Sequence, residues 1–266
     1  MHERTVHAVV VRLSDYGEAH RIVDLLTREE GLVRAFAPSC RGSRRRFAGA
    51  LEPGNRISAV VRTSAGRSLA NLEEASLEGG LGNVLRSDLF AMLRAGWMVD
   101  LCRSLVRDEQ PHEDLYDLLS AGIELLDEAR LPPWGLVAFE VAALGSFGVT
   151  PRFDACSRCD RPPKSERSRF SPGFGGLLCP ACSPGWGPGD VALARSTLGA
   201  LRALAESGSG KEALARSSSL PDAPAHVAEA RGALSSCTQH VLGRSLKSRE
   251  LLDRMDPSLS AVSVEG

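Results

Sequence analysis

The sequence contains no long hydrophobic segment and almost no net charge. No run approaches the ~18–20 apolar residues that a membrane-crossing helix needs, and the 266 residues carry a formal net charge of −1 at pH 7. The N-terminal stretch MHERTVHAVVVRLSDYGEAHR has charges on both sides of a short apolar run, so it lacks the apolar core of a secretory signal. We therefore expect a cytoplasmic protein whose total charge indicates no class of partner.

Signatures of catalysis are missing as well. The six histidines are scattered and show neither metal-ligand nor triad spacing. The chain has no G-x-x-x-x-G-K-[ST] phosphate loop and no G-x-S-x-G nucleophile turn. Its carboxylates are spread along predicted helix surfaces, where such groups usually face solvent. The sequence therefore predicts a binding protein and not an enzyme.

Four of the seven cysteines lie in one segment, as two Cys-x-x-Cys pairs. Cys156 and Cys159 form the first pair, Cys179 and Cys182 form the second, and nineteen residues separate the pairs. This spacing is typical of a structural zinc site, in which four thiolates complete a tetrahedral shell. The loop between the pairs has almost no periodic apolar pattern, so we expect bound metal to replace a core there. One structural zinc ion is the predicted cofactor.

Three other interpretations of these cysteines stay open. The sequence Cys179-Pro-Ala-Cys182 also fits a dithiol redox pair, although such a motif normally begins a helix and Ser-Pro-Gly-Trp-Gly follows it here. A zinc deaminase would combine P-C-x-x-C with an upstream H-x-E or C-x-E, whereas Ser and Arg follow Cys156. Two disulfides would need an oxidising compartment. A closed four-cysteine site favours a scaffolding role.

Residues 1–80 predict a small β-barrel. Glu30-Gly31 and residues 64–67 have the composition of turns, and residues 19–27 are also compatible with a helix. Five short strands in this length fit the closed barrel of an OB-fold. The segments with the composition or alternation of strands are Val6–Ser14, Ala19–Thr27, Leu32–Pro38, Arg56–Thr63 and Ser68–Ser76.

Beyond a glycine-rich boundary at residues 78–82 the apolar spacing becomes helical. In the first helix, Leu85, Leu89, Met92, Leu93 and Trp97 are predicted to share one buried side. Residues 207–212 and 216–224 are rich in Ser, Gly or Pro and are predicted to be solvated linkers. The predicted helices are Asn83–Val106, Glu113–Ala129, Pro132–Val149, Val191–Ser207, Ala223–Gly243 and Arg249–Met255.

The predicted fold class is therefore α+β. A five-stranded OB-fold barrel occupies residues 1–80, and a helical domain follows in two parts, 81–150 and 190–266. A four-cysteine zinc finger at residues 151–189 is inserted between those parts.

The near-neutral total hides two regions of opposite charge. Between positions 34 and 67 there are eight arginines and a single acid, Glu52, whereas residues 81–150 hold five basic and eleven acidic residues. Because arginine pairs with phosphate oxygens in a bidentate manner and polynucleotide binding releases counterions, the basic region predicts a nucleic-acid surface. Phe47 directly follows Arg44–Arg46, and it is either a base-stacking residue or an inward-facing loop anchor. The acidic region predicts protein partners.

Several segments, in order along the chain, share features with one known family. AVVVRLSDYGEAHRIVDLLTREEGLVRAFAP is similar to three barrel strands, CRGSRRRFAGALEPG to a basic loop and its turn, and LANLEEAS to the last strand. The four cysteines and the stretch GRSLKSRELL complete the pattern. Together they resemble the RecO family of bacterial recombination mediators and DNA repair proteins. The chain departs from that family at Glu52 and Gly54, where Gln and Phe are usual, and at residues 207–225, which look like a local elaboration.

The resemblance implies an N-terminal OB-fold, a helical domain and an inserted finger that holds one structural zinc ion. It implies a nucleoid-associated protein, not an enzyme, that binds single- and double-stranded DNA and anneals complementary strands. It further implies partnership with RecR, often with RecF, in loading RecA onto gaps coated by single-strand-binding protein.

The resemblance also assigns residues. The basic loop would contact DNA through Arg41, Arg44, Arg45 and Arg46, with Arg34, Arg56 and Arg62 as flanks. Lys247 and Arg249 match the family's Lys-Ser-Arg signature; they either touch DNA or cap the last helix and pair with Glu250 or Asp253. The alternatives to this function are a zinc-containing enzyme that modifies nucleic acid and an RNA-binding OB-fold protein.

Overall fold

The computed structural model of the chain describes residues 2–43, 45–63, 69–80, 82, 88–106, 110–183, 185–256 and 259. By its internal contacts the chain divides into two units, Met1–Arg130 and Leu131–Gly266. Within the described residues, none of the helices combines the length and the apolarity that crossing a bilayer would require.

Five strands form a closed barrel in the first unit, as the sequence predicts. The ring order is β1-β2-β3-β5-β4, with β4 paired back to β1, and only the β3–β5 closure is parallel. This is an OB-like barrel, and residues 19–27 contribute a strand to it and not a helix. The strands are β1 (His2–Tyr16), β2 (His20–Thr27), β3 (Gly31–Ala37), β4 (Arg56–Thr63) and β5 (Ala70–Gly79).

The barrel closes because alternate residues of each strand are apolar and small enough to fill a narrow interior. In β3, Val33, Ala35 and Ala37 are buried while Arg34 is exposed. At the β2–β3 turn the Thr27 hydroxyl donates to the Gly31 carbonyl at 2.9 Å. The predicted turn at residues 64–67 lies outside the described residues.

The segment between β3 and β4 is folded onto the barrel and is not a free loop. Cys40, Phe47, Ala50 and Leu51 are buried in the same apolar cluster as the barrel strands. Gly54 has a φ of +92°, a conformation that side chains with a Cβ rarely adopt, and its N–H donates to the Val10 carbonyl at 2.8 Å.

The described residues of the first unit also form two α-helices, α1 (Leu89–Leu105) and α2 (Glu113–Asp127). Asp88 caps α1 by accepting from the Phe90 N–H at 2.8 Å. The predicted buried side of α1 is wrong at its start, because Leu89 and Met92 are exposed, whereas Trp97 is buried as predicted. Leu85 lies outside the described residues. The buried stripe begins at Ala91, two residues after Leu89, and continues through Ala95, Met98, Cys102 and Leu105.

The second unit contains a four-stranded sheet that the sequence did not reveal. Its order is β6-β8-β7-β9, built from β6 (Arg152–Cys156), β7 (Arg167–Ser171), β8 (Gly176–Leu178) and β9 (Val191–Ala194). The finger therefore has a small core of its own, in which the rings of Phe153 and Phe170 stack with centroids 5.6 Å apart. The prediction that metal alone replaces a core between the cysteine pairs is wrong in this respect.

In the described part of the second unit, five α-helices pack on this sheet or on one another. The prediction of one helix over residues 191–207 is wrong at its start, because β9 pairs with β7 before α4 begins. The predicted linker at residues 207–212 is also wrong in part: Ser209 caps α5, which begins at Gly210 and buries Ala213 and Leu214. The helices are α3 (Gly135–Ser146), α4 (Arg195–Ala205), α5 (Gly210–Ser217), α6 (Pro224–Leu242) and α7 (Lys247–Met255).

Candidate metal cluster and nucleic-acid interface

The two cysteine pairs meet in the second unit. Among the described residues, the Sγ atoms of Cys156, Cys159, Cys179 and Cys182 all lie within 4.8 Å of one another. Four ligands at the usual Zn–S distance would place their sulfurs about 3.8 Å apart, and Cys159 Sγ and Cys179 Sγ are separated by 3.6 Å. The donor set and its spacing therefore fit a metal ion.

Local backbone geometry prepares one of these thiols for the thiolate form. Burial alone would raise the pKa of Cys156, but N–H groups of the cluster, among them that of Cys179 at 3.4 Å, lower this pKa to about 6. Proton sharing with Cys159 and Cys179 raises the pKa of Cys182 to about 12. A metal takes thiolates as its ligands, so binding would displace the protons that the sulfurs share.

The barrel loop displays some of its predicted DNA-binding arginines and uses others internally. Arg41 and Arg45 are exposed, while Arg44 lies outside the described residues. Arg41 forms an ion pair with Asp15 at 2.6 Å, and its hydrogen bond to that carboxylate lowers the pKa of Asp15. Arg45 has no ion pair within the described part of the chain. Both guanidinium groups are placed where a phosphate can reach them.

Arg46 and Phe47 build the loop. Arg46 donates to the Pro38 carbonyl at 2.5 Å, and its guanidinium lies 4.9 Å from the centre of the Phe47 ring. The Phe47 ring is only 2% exposed and belongs to the barrel core. Of the two roles considered for Phe47, this geometry favours the inward-facing anchor, because stacking on a base would require the loop to unfold.

The three flanking arginines do not form one patch. Arg34 is exposed on β3 and donates to the buried carboxylate of Asp24 at 2.8 Å. Arg56 and Arg62 lie near opposite ends of β4, roughly 20 Å apart at the rise of an extended strand. Arg56 is directed toward Glu124 of α2, at 4.0 Å, and Arg62 pairs with a carboxylate on β5.

An aromatic surface on the barrel was not predicted. The rings of Tyr16 and His20 both contact Phe36, with centroids 5.6 Å and 5.3 Å away. Phe36 alternates with Ala35 and Ala37, so it lies on the same outward side of β3 as Arg34. The alternation of residues along β3 could have indicated this surface. It places Phe36 on the polar side of the strand, where an aromatic side chain does not contribute to the barrel core. Tyr16 is 57% exposed at the end of β1.

The two residues of the C-terminal signature have different environments. Lys247 is exposed at the first position of α7, whereas Arg249 is buried. Arg249 Nη1 donates to Glu140 at 2.8 Å and its Nε donates to Asp253 at 2.7 Å. Burial lowers the pKa of Arg249, but these carboxylates outweigh burial and raise it. Pairing with Asp253 was one of the two roles considered, and in this structure Arg249 is enclosed by protein.

A closed OB-like barrel with arginines on one loop, followed by a helical region that carries a four-cysteine cluster, defines an OB-type protein with a four-cysteine finger. The models for the N-terminal and C-terminal regions of recombination protein O match residues 1–80 and 86–250 of the chain.

Relatives of known name share this match over almost their whole length. A "DNA repair protein RecO" of Anaeromyxobacter sp. (strain K) is 46% identical over 253 residues, which cover 95% of this chain and 97% of the relative. The "DNA repair protein RecO" of Myxococcus xanthus is 40% identical, over 92% of this chain and 95% of the relative. That of Symbiobacterium thermophilum is 34% identical, over 94% of this chain and 96% of the relative. The chain belongs to the RecO family of DNA repair proteins, and it is a recombination mediator and not an enzyme.

Proposed function

We propose that this protein binds single- and double-stranded DNA in the cytoplasm and anneals complementary strands. We propose further that, with RecR and RecF, it loads RecA onto gaps coated by single-strand-binding protein. Membership of the RecO family supports this role, and the arrangement of the barrel loop is the observation that carries it.

The loop between β3 and β4 supports phosphate binding because its apolar residues are fixed in the barrel. Phe47 and Leu51 bury their side chains in the barrel core, and the Arg46 carbonyl accepts from the Ala75 N–H at 2.9 Å. A loop anchored in this way can hold Arg41 and Arg45 outward with little loss of backbone entropy on binding. Arginine forks then pair with phosphate oxygens.

In this proposal, the aromatic side chains of Tyr16, His20 and Phe36 contact the bases of the DNA. OB-fold proteins bind single strands on the face of strands 2 and 3 and on the adjoining loops. Tyr16 ends β1, and Phe36 lies on β3 beside the exposed Arg34. Stacking on such rings is tolerant of sequence, because every base has a flat face.

Annealing follows from the same charges. Two complementary strands repel each other through their phosphates, and a basic surface that neutralises part of this charge lowers the cost of bringing them together. The barrel arginines would bind both strands without reading their sequence, so pairing between the bases would select the partner.

A structural zinc ion is the group that the four cysteines would hold. A shell of four thiolates leaves no open position for substrate, so the ion would contribute folding energy and not chemistry. It would tie the turn after β6 to the end of β8, since the first cysteine pair follows Ala155 and the second follows Leu178.

The salt dependence of DNA binding tests the proposal. The double variant R41A/R45A is expected to weaken binding of a single-stranded oligonucleotide. It should also reduce the slope of log K against log salt by about 1.4, which is about 0.7 for each lost phosphate contact. Fluorescence anisotropy at several salt concentrations measures both quantities.

The matched control is R202A/R216A, which removes two exposed arginines from α4 and α5 of the second unit. Its slope should equal that of the unchanged protein. An unaltered slope in R41A/R45A, or an equal loss in the control, would refute phosphate binding by the loop. Competition by RNA of the same length and sequence separates a DNA-binding protein from an RNA-binding one.

A further inference from the structure

A groove of about 630 Å³ lies beside the cysteine cluster, between residues 161–165, β7 and Trp186. The described residues that line it include four cations and no carboxylate, together with apolar groups such as Pro162 and Leu178. Its cations are Arg161, Lys164, Arg167 and Arg169. An occupant of this groove should be anionic and should also have an apolar surface.

Two of these cations are available to a ligand. Arg167 pairs with Glu229 at 2.6 Å, and Arg169 pairs with the buried carboxylate of Asp190. Arg161 and Lys164 are exposed, and neither forms an ion pair with any described residue. The segment that borders the groove therefore carries two exposed cations without a carboxylate partner among the described residues.

Trp186 is exposed but held in place. Its side chain is 65% exposed, and the guanidinium of Arg169 lies 5.4 Å from its ring centre. The Asp190 carboxylate accepts from the Arg169 Nε and from the Gly187 N–H, each at 2.6 Å, and so joins the turn that carries Trp186 to β7. A ring fixed in this way loses little freedom when a flat ligand stacks on it.

We propose that this groove is a second contact surface for single-stranded DNA, on which Trp186 stacks with a base while Arg161 and Lys164 bind the flanking phosphates. The inference rests on the proposed function, because it extends the DNA-binding surface from the barrel to the finger. Indole stacking and side-chain cations are the usual means of binding single strands without sequence preference.

The sheet disfavours an acidic peptide as the occupant. A peptide that binds as an added strand needs a free strand edge, but β7 is paired with β8 on one side and β9 on the other. In β9, which ends the sheet and contributes Ala192 to the groove, the Ala192 carbonyl accepts from Arg167 at 2.8 Å and the Ala194 N–H donates to Glu229 at 2.9 Å. A nucleic acid needs only the side chains. The finger also repeats the pairing of an exposed aromatic with arginine, since Arg158 lies 5.9 Å from the Phe174 ring.

Intrinsic fluorescence gives a readout specific to this groove. Trp97 and Trp134 are buried at 0% and 2% exposure, so among the chain's three tryptophans Trp186 is the one that solutes can reach. The experiment titrates the zinc-loaded full chain with unlabelled oligo-dT while anisotropy of a labelled copy reports binding. We expect saturable quenching of the emission with the same midpoint as binding, and protection of Trp186 from iodide.

Variants measure the contribution to affinity. W186A should weaken oligo-dT binding by at least about 5-fold, the loss of one stacked base, and W186F should restore most of the affinity. R161E/K164E should weaken binding and reduce the salt slope, whereas R216E on α5 removes an exposed cation from the same unit and should do neither.

The outcomes separate the inference from the proposed function. Binding by anisotropy with unchanged emission, and with W186A binding as the unchanged protein does, would overturn the groove while leaving the barrel surface intact. Quenching by a peptide of Asp and Phe residues, but not by oligo-dT, would assign the groove to a protein partner and overturn the inference. No binding of oligo-dT by any measure would overturn the proposed function and the inference together.

Discussion

Replacing Arg249 with alanine is expected to destabilise the second unit without removing a DNA contact. The guanidinium of Arg249 joins three helices: it donates to Glu140 on α3, to Asp253 on α7 and to the Arg231 carbonyl on α6, at 2.7–2.8 Å. Glu140 accepts in addition from the Thr238 hydroxyl at 2.8 Å. Loss of the guanidinium removes the cation that is hydrogen-bonded to the buried Glu140 carboxylate. Arg231 is close enough to interact with Glu140 by charge, but it donates to Asp253.

The magnitude follows from burial. The side chains of Arg249 and Glu140 are 7% and 1% exposed, so solvent screens the pair little. Removing one member of such a buried pair costs about 3–5 kcal/mol. For a protein of this size that corresponds to a fall in melting temperature of roughly 6–20 °C.

Urea unfolding and thermal melting measure this loss, with DNA binding assayed well below the melting temperature. K247A is the matched control: Lys247 is exposed, so its stability should change by less than about 0.5 kcal/mol. The double variant E140L/R249M should regain much of the stability, because it leaves no unpaired buried charge. Unchanged unfolding of R249A together with weakened DNA binding would refute the structural role and would favour a DNA contact.

Three further predictions concern the barrel and the finger. Y16A should weaken binding of single-stranded DNA by about 1–3 kcal/mol, measured by anisotropy titration. L77A removes an equally exposed apolar side chain from β5 and should not weaken it, so equal losses in the two variants would exclude stacking by Tyr16. D15N should raise DNA affinity by up to about fivefold at low salt, because it releases Arg41 from a competing carboxylate; unchanged affinity would show that Asp15 does not compete. C179S should lose bound zinc and melting temperature together, as metal analysis and calorimetry can show, and full zinc content would contradict a four-cysteine shell.

Local patterns were sufficient for the strands of the barrel and for the cysteine cluster. Strand alternation placed five strands that the structure confirms, because a narrow barrel interior accepts only every second side chain. The spacing of the four cysteines was equally informative, since a tight turn brings both thiols of a pair to one ion. These features depend on neighbours within a few residues, which a single sequence displays.

The roles of individual side chains depended on the tertiary structure. Arg249 and Glu140 are 109 residues apart in sequence, and Phe47 enters a core made by strands on either side of its loop. The four-stranded sheet of the finger could not be predicted either, because β7 and β8 are only five and three residues long and gain their stability from pairing.

The sequence by itself determined the family, the five-stranded barrel and the grouping of the four thiols. Only the tertiary structure decided which cations face solvent. An arginine in a basic stretch has the same sequence neighbours whether its side chain is exposed to water or paired with a carboxylate distant in sequence. Burying a charge is costly unless a partner is present. The partner's position, and with it the role of the arginine, is therefore a property of the folded chain.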